Sequence, residues 1–299
     1  MDGKSQKISP TADLPRAEST DEEWDIVISP KSSLFDLKLR EVWGYKDLLT
    51  LLIRRDIVAQ YKQTVLGPLW YFIQPLFTTI VFTVVFSNLA GISTDGIPPM
   101  LFYLAGTTNW NYFAETLKKT STTFKDNSGL FGKVYFPRII VPLSIVSTNL
   151  LKYGIQLILF AGFYVYYILQ GSPIGVNGYA LLFPVLVIIM AGLGLGFGTI
   201  ITSMTTKYRD LTYLITFGVQ LLMYATPVII PLSEVPEKYR WLMVLNPMTA
   251  VIETFKYGFL GSGTFRWDYL GYSFGFMVVL LLIGSAIFNR TEKNFMDVV

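Results

Sequence analysis

The side chains that most often carry out chemistry in proteins are scarce in this chain of 299 residues. It has no His and no Cys, so the commonest general base, a common metal ligand and all thiol chemistry are missing. The sequence shows no clustered set of metal ligands either. It therefore argues against an enzyme, and it predicts that this chain binds no cofactor and no metal of its own.

Nucleotide binding is disfavoured as well. The pattern G-x-x-x-x-G-K-[ST], which holds the phosphates of a nucleotide, does not occur. Four glycines at alternate positions, Gly192, Gly194, Gly196 and Gly198, lie inside an apolar run. Small residues four apart in such a run indicate close helix packing far more often than phosphate binding. If the protein uses ATP and Mg²⁺, a separate subunit must bind them.

Six charge-poor apolar runs make up most of the chain. Each is long enough for a helix, which rises about 1.5 Å per residue, to cross about 30 Å of hydrocarbon. The runs are 69–90, 97–114, 139–169, 179–204, 211–230 and 269–288. The overall composition, 52% hydrophobic, agrees with this pattern. The sequence therefore predicts an all-α polytopic membrane protein with six transmembrane helices.

Lys and Arg are distributed unevenly around these runs. Seven lie between residue 31 and the first run, and five more lie in the loop between the second and third runs. The turns at 91–96 and 170–178 contain none. Because short loops rich in Lys and Arg stay in the cytoplasm, we predict a multi-pass protein with both termini cytoplasmic.

The external segment 231–268 departs from this rule because it carries four basic residues. Its charge-free stretch, 241–252, is 12 residues long and is interrupted by Pro247. That length suits a re-entrant or interfacial helix better than a full span. We predict two short re-entrant helices between spans five and six. The alternative is a seventh span, which would place the C-terminus outside.

The region before the first run divides into two parts. Residues 1–30 are rich in Ser, Thr, Pro and acidic side chains and lack a signal-peptide core, so they are predicted to form a disordered cytoplasmic tail. Residues 31–68 are predicted to form a cytoplasmic interface helix and an entrance loop, followed by the six-span permease domain at 69–299. Within 34–53 the apolar residues share one helical face, as in a helix lying flat on a membrane. Such a helix either only anchors the chain or also receives force from a cytoplasmic motor.

Several short motifs together resemble one family. They are Arg54-Arg55-Asp56, Tyr61-Lys62-Gln63, Leu66-Gly67-Pro68-Leu69-Trp70, Pro75, Phe136-Pro137-Arg138 with Pro142, Lys207-Tyr208-Arg209-Asp210, Tyr224-Ala225-Thr226-Pro227 and Asn246-Pro247. This set resembles the permease subunits of bacterial ABC transporters that export O-antigen, capsule and teichoic acid polysaccharides. The resemblance covers 34–299, and the set is specific although no single tripeptide is.

The resemblance implies partners and a location. Family members are homodimers that bind two copies of an ABC ATPase subunit, which holds the ATP and Mg²⁺. The implied substrate is a polysaccharide linked to undecaprenyl pyrophosphate, exported from the cytoplasm to the outer face of the bacterial inner membrane. The net charge of +3 fits cytoplasmic loops that meet anionic lipid and gives no reason to expect nucleic acid.

Residues expected to receive the substrate lie between the interface helix and the first span, a junction near the cytoplasmic mouth in related exporters. They are Tyr61, Lys62, Gln63, Leu66, Gly67 and Trp70. The first three are expected to bind the pyrophosphate and the proximal sugars. Gly67 allows tight backbone geometry, and Pro68 suits the first turn of a helix. The alternative is a junction that only starts the first span.

Coupling to the ATPase is expected in the loop between spans two and three, because related exporters place a short cytoplasmic helix in a cleft of the ATPase. The residues are Asn127, Ser128, Gly129, Leu130, Phe131, Gly132 and Lys133. Asn127 and Ser128 are suited to cap that helix, and Leu130 and Phe131 to form an apolar wedge. Alternatively, the loop's positive charge only sets topology. Further cytoplasmic contacts are expected at Arg55, Asp56, Arg209 and Asp210.

A path for a sugar polymer is expected to contain aromatic rings, because sugar C–H faces stack on them without locking in register. The candidates are Phe72, Phe77, Phe82, Phe86 and Tyr224. Most aromatic residues of membrane proteins instead contact lipid or neighbouring helices. Lys152 lies deep in the third run, with Gln156 one turn away. Basic residues there face protein or water, and we expect a buried structural contact.

Other functions stay compatible with the sequence. A drug or lipid exporter with the same membrane plan is the nearest alternative. A secondary transporter that needs no ATPase usually shows intramembrane acids and repeated halves, and neither is visible. A membrane enzyme, for example a glycan acyltransferase, is less favoured still because the chain has no His.

Overall fold

The computed structural model describes residues 43–62, 64–131, 136–205, 207–208 and 210–295, although the side chains of Tyr61 and of 293–295 lie outside that description. All of these residues belong to one compact unit, Leu34–Val299. The predicted tail at 1–30 and the first part of the predicted interface helix, 34–42, lie outside the described residues. Within the described ranges, all regular secondary structure is helical.

Eleven helices follow one another in the described part of the chain. They are α1 Lys46–Tyr61, α2 Gly67–Leu89, α3 Pro99–Thr120, α4 Thr123–Asp126, α5 Ser128–Phe131, α6 Ile140–Leu169, α7 Gly178–Thr205, α8 Leu211–Tyr224, α9 Glu237–Val244, α10 Pro247–Leu260 and α11 Trp267–Phe295. Helices α2 and α7 each begin with a 3₁₀ turn, and α2 ends in a π-helical turn. The all-helical prediction is therefore confirmed.

Four helices are long and apolar enough to cross a membrane: α2, α6, α7 and α11. They coincide with predicted spans one, three, four and six. At the position of span two, α3 has 22 residues, but it carries Thr107, Thr108 and Asn109, which are all buried. A helix enclosed by other helices can carry polar side chains, because they bond inside the bundle. The prediction that α3 is a span stays untested.

The helix at the position of span five is shorter than predicted. The apolar run 211–230 predicted a single span, whereas α8 has 14 residues and ends at Tyr224. The helix ends before Pro227. Proline disfavours helical geometry in the residue that precedes it, here Thr226, so the chain already turns at Ala225. The Thr226 hydroxyl donates to the carbonyl of Met223 at 2.5 Å, which satisfies one of the last carbonyls of α8.

The centre of the bundle is α3, which packs against α6 and α7, while α11 packs against the other side of α7. Two of the predicted packing glycines face α3. A Cβ atom on Gly194 would lie 2.8 Å from Cγ2 of Thr116, and one on Gly198 would meet the side chain of Thr120. Each added Cβ atom would lie closer to its neighbour than a normal contact of about 3.5 Å. Helices α3 and α7 therefore approach this closely only because glycine stands at these two positions.

The other two glycines of the series face α11. A Cβ atom on Gly192 would lie 2.5 Å from Sδ of Met277, and one on Gly196 would lie 3.0 Å from Cγ of Leu280. The four glycines thus alternate between two neighbouring helices. The prediction that they serve helix packing is confirmed.

The segment between spans five and six was predicted to contain two short helices. It contains two, α9 and α10. Pro247 begins α10 rather than interrupting a helix, and the Asn246 side chain caps it by accepting from the backbone N–H of Met248 at 3.0 Å. Gly261 ends α10 in the left-handed conformation, with φ of 74°. These are the start and stop signals that helices commonly use.

Candidate functional site

A half-open polar cavity of about 440 Å³ lies where the end of α1, the start of α2, the last turns of α3 and the middle of α6 meet. Five neutral amide side chains line it: Gln60, Gln74, Asn111, Asn149 and Gln156. Three ionisable side chains, Glu115, Lys119 and Lys152, also line it. Such a wall offers donors and acceptors to a hydrophilic ligand.

The junction between α1 and α2 forms one side of this cavity. Gly67 and Trp70, both expected to receive substrate, line it. Gly67 has φ of +46°, a left-handed conformation that costs most residues free energy. Trp70 is 49% exposed, so its indole is accessible beside the cavity. Leu66, at 38% exposed, lies just outside the lining.

Of the three other residues of that expected set, only Lys62 has a described side chain. Lys62 is exposed and does not line the cavity. The side chain of Tyr61 and the whole of Gln63 lie outside the described residues. Gln60, the residue before Tyr61, lines the cavity. The sequence did not identify Gln60, because an amide at a helix end gives no distinctive pattern.

Hydrogen bonds between helices hold the cavity wall in place. The Tyr71 hydroxyl of α2 donates to Oε1 of Gln60 on α1. On the opposite side, the Tyr153 hydroxyl of α6 donates to Oδ1 of Asn109 on α3 at 2.8 Å. Because these bonds join separate helices, the shape of the cavity is coupled to how α1, α3 and α6 pack.

Lys152, which was expected in a buried structural contact, is half-buried and contacts an aromatic ring. Its amine lies 5.5 Å from the centroid of the Tyr71 ring, within cation–π range, and its side chain lines the cavity. Lys119 of α3, which the charge pattern had assigned only to topology, faces the same cavity. Lys119 and Lys152 are 33 residues apart, so the sequence does not reveal that they share a cavity. The antiparallel packing of α3 and α6 brings them together.

The expected coupling loop folds as two short helices, α4 and α5. Asn127 does not cap α5 as predicted. Its Nδ2 instead donates backwards to the carbonyl of Thr123 at 3.1 Å, and the Ser128 hydroxyl donates to the carbonyl of Lys125 at 3.3 Å. Both side chains therefore close the end of α4. Gly132 and Lys133 lie outside the described residues.

Phe131 was expected to contact the ATPase as part of an apolar wedge. The structure buries it to 3% exposure, in an aromatic cluster with Phe124, Phe136 and Phe288. A direct contact with a partner would instead involve the exposed Lys125, Asp126 and Gly129, and half-buried Leu130. The role left for Phe131 is to hold this surface on the bundle.

Arg138 connects that cluster to the C-terminal helix. Its guanidinium lies 5.4 Å from the Phe131 ring centroid, and its Nη1 donates to the backbone carbonyl of Glu292 at 2.8 Å. Burial lowers the pKa of Arg138, and the Glu292 carboxylate opposes that shift. The Phe-Pro-Arg motif thus ties α5 to α11.

Helix α1 docks on this same cluster through Leu52, which is 1% exposed. Leu49, which belongs to the predicted apolar face with Phe35, Leu39, Val42 and Ile53, also packs against the cluster, and the helix continues to Tyr61. Arg55 forms an ion pair with the adjacent Asp56 at 2.8 Å, and the Asp56 carboxylate also acts electrostatically on Lys152 of α6.

At the start of α8, Asp210 is exposed and stands at the N-cap without a side-chain capping bond. Arg209 lies outside the described residues. The expected cytoplasmic contacts of this pair stay a prediction.

The candidate channel aromatics fall into three environments. Phe82 and Phe86 pack on Tyr103 of α3, with ring centroids 6.0 and 6.3 Å away. Phe72 lines an apolar recess of about 420 Å³ between α2 and α6. Phe77 and Tyr224 are exposed by 63% and 53%. Only this last pair is free to face a path, lipid or a second copy of the chain.

A charged residue that complicated the topology prediction lies inside the protein. Lys256 of α10 is 1% exposed, and its amine donates to the carbonyl of Pro227 and lies over the Phe102 ring. Burial lowers the pKa of Lys256, and the nearby Glu253 opposes that shift. This amine holds α10, α3 and the turn after α8 together.

Comparisons with known proteins agree with this architecture. The chain is 26% identical to the O-antigen export system permease protein RfbA of Klebsiella pneumoniae over 263 residues, covering 88% of this chain and 99% of that protein. It is 28% identical to the protein of that name from Myxococcus xanthus, covering 87% and 98%. It is 20% identical to the polysialic acid transport protein KpsM of Escherichia coli, covering 81% and 92%.

A family match covers most of the described bundle. Residues 47–260 match the ABC-2 type transporter family, a range that begins in α1 and ends in α10. This range contains the α1–α2 junction, the polar cavity and the coupling loop. The resemblance inferred from the short motifs is confirmed, and the chain belongs to the ABC-2 type transporter family.

Proposed function

We propose that this chain is the membrane permease of an exporter that moves a polysaccharide of the O-antigen type from the cytoplasm to the outer face of the bacterial inner membrane. The observation that carries the proposal is the polar cavity at the α1–α2 junction. Amides, hydroxyls and an exposed indole suit a hydroxyl-rich sugar better than an apolar drug. Relatives matched over nearly their whole length bear the names of O-antigen export permeases.

The substrate in this proposal is a glycan joined to undecaprenyl through a pyrophosphate. Two neighbouring features support an amphiphile. The polar cavity and the apolar recess both lie between α2 and α6, and the recess lies further along α6, at 158–166. A polar head in the cavity would leave a polyprenyl chain beside the recess, where transfer of apolar groups out of water is favourable.

The working unit is a homodimer with six spans per subunit and both termini in the cytoplasm. Helices occupy all six predicted positions. Side chains on α2 and α8, including Phe77 and Phe217, expose large apolar surfaces in the single chain. Such surfaces require lipid or a second copy of the chain as a partner. The segment α9–α10 between spans five and six dips toward the membrane from outside.

Energy comes from two copies of a separate ATPase subunit, which bind ATP and Mg²⁺. Support comes from the missing P-loop pattern and from the shape of the coupling loop. Lys125, Asp126 and Gly129 form an exposed surface backed by the buried aromatic cluster. Because α1 and α11 pack on that cluster, a push on α4 and α5 reaches the helix that borders the cavity.

The test is deletion of the gene in its host, with surface glycan and lipid-linked glycan in the cytoplasmic leaflet measured together. Loss from the surface with accumulation inside, reversed by the wild-type gene, is the expected result. A strain lacking only the partner ATPase serves as the matched control and should show the same pattern. Unchanged glycan in both places would contradict the substrate assignment and favour export of a drug or another lipid.

A further inference from the structure

Two amines and one carboxylate line the polar cavity. Lys119 of α3 and Lys152 of α6 are the amines, and they lie close enough to act on each other electrostatically, as the carboxylates of Glu115 and Asp56 also do on Lys152. Within the described ranges, no carboxylate oxygen lies within 4.0 Å of either amine. Two positive charges this close repel each other, more strongly in a protein cavity than in open water.

The acid that lines the cavity is already engaged. Glu115 forms an ion pair with Lys118 at 3.6 Å, and Lys118 is not part of the lining. Glu115 is thus shared between Lys118 and the cavity, where its carboxylate also acts on Lys152. The lining carries two amines and one carboxylate, and this positive balance favours an anionic ligand.

A hydroxyl group without a partner lies in the same wall. Tyr112 of α3 lines the cavity and is 3% exposed. In the described part of the chain its hydroxyl oxygen is buried and has no hydrogen-bond partner. Leaving a buried polar group unpaired costs free energy, so a ligand that accepts from this hydroxyl would remove that cost.

We propose that Lys119, Lys152 and Tyr112 form a binding site for a phosphate or diphosphate group. Amines bind phosphate oxygens as compact point charges, and a doubly charged group between them relieves their mutual repulsion. This inference rests on the proposed function, because in that setting the group belongs to the lipid-linked substrate. It moves the pyrophosphate contact from Tyr61, Lys62 and Gln63 to residues deeper in the bundle.

The site also explains the position of neighbouring groups. Gln60 and Gln74 line the same cavity and supply amide N–H donors. Trp70 lies at its edge with an exposed indole, where the first sugar after a bound diphosphate could stack. The phosphate contacts would set the position of the head group, and the neutral groups would tolerate different sugars.

The test measures binding to the complete complex of the permease and its ATPase in lipid nanodiscs made of phosphatidylcholine. Inorganic pyrophosphate and farnesyl diphosphate are the two probes, titrated by calorimetry. We expect Lys152→Gln and Lys119→Gln each to weaken farnesyl diphosphate binding about 10- to 100-fold, the range for loss of one charged hydrogen bond. Lys152→Arg should retain most of the affinity. Lys238→Gln, which removes an amine on α9, is the matched control and should bind as the wild type does.

A second measurement separates binding from folding. Removing one of two repelling charges should leave the melting temperature of the empty complex unchanged or raise it, whereas a structural lysine would lower it. Equal affinity of wild type and both Gln variants would overturn the site. Tighter binding of farnesyl diphosphate than of pyrophosphate identifies a lipid-borne head group, and equal affinity identifies a free soluble phosphate compound. Loss of export on gene deletion with unchanged binding in the variants would refute this site alone.

Discussion

Two glycines on α7 provide a direct test of how the bundle packs. Gly192→Ala places a methyl group 2.5 Å from Sδ of Met277, whereas Gly194→Ala places one 2.8 Å from Cγ2 of Thr116. Distance alone would make the first change worse. We predict the opposite order, because the two neighbouring side chains differ in stiffness.

The expected magnitudes follow from what each neighbour can do. Met277 presents the end of a flexible thioether, which moves aside at little cost. Thr116 is β-branched and stiff at χ1, its Oγ1 accepts from Asn149 at 3.3 Å, and the carbonyl of Phe113 lies 3.3 Å from the added methyl. Overpacking of such a site costs about 1–3 kcal/mol.

The assay is the melting temperature of the purified complex, compared with Gly275→Ala as the control. Gly275 lies on α11 with no atom near the added methyl group. All three changes gain the same helix propensity, about 1 kcal/mol, so differences among them report packing. At about 2–4 °C per kcal/mol for domains of similar size, Gly194→Ala should melt about 2–12 °C below the control.

Gly192→Ala should melt within about 2 °C of that control, a shift equivalent to less than 1 kcal/mol. If Gly192→Ala melts lower than Gly194→Ala, or if all three variants melt together, the argument from neighbour stiffness is wrong.

Three further predictions concern other contacts. Gly67→Val should reduce surface glycan, and Gly67→Asn should reduce it less. The left-handed φ of +46° costs branched residues about 1–2 kcal/mol, while no atom crowds the position. Equal export by the two variants would contradict this argument from backbone strain. Lys256→Met should destabilise the complex by about 1–3 kcal/mol and the double variant with Glu253→Gln by less, measured by thermal melting, because the single change leaves the Pro227 carbonyl without its donor and the buried Glu253 without a nearby positive charge. Arg138→Lys should lower the melting temperature and weaken the coupling of ATPase activity to export. An ammonium cannot both donate to the Glu292 carbonyl and cover the Phe131 ring as the guanidinium does. An unchanged melting temperature would show that these two contacts of Arg138 are not needed for stability.

Much of the candidate site could be located from the sequence, because local signals mark it. Gly67 next to Pro68 before an apolar run predicts a turn that leads into a helix, and Gly67 and Trp70 do line the cavity. Lys152 was identified because basic residues are rare within apolar helices. Gln60, Asn149 and Lys119 gave no such signal, because amides and loop-side lysines are ordinary in these positions.

The coupling loop shows where local reasoning fails. The spacing of Asn127 and Ser128 fits a helix cap, but side chains of this type bond equally well to carbonyls that precede them. An apolar side chain beside charged ones suggests an exposed wedge, yet Phe131 is buried in a cluster with Phe124 of α4 and with Phe288 from the distant helix α11. Burial of an aromatic ring in such a cluster outweighs what the neighbouring sequence implies.

The sequence by itself determined the helical class, the positions of the helices and the need for glycine on α7, because run length, charge and residue size act locally along the chain. Only the tertiary structure decided which helix each glycine faces, and that Lys119 and Lys152 share one cavity. It also decided that Lys256 lies inside the protein rather than at its surface. These outcomes depend on how separate helices pack. Packing brings together residues that are far apart in the sequence, and nothing in the sequence near either residue indicates the contact.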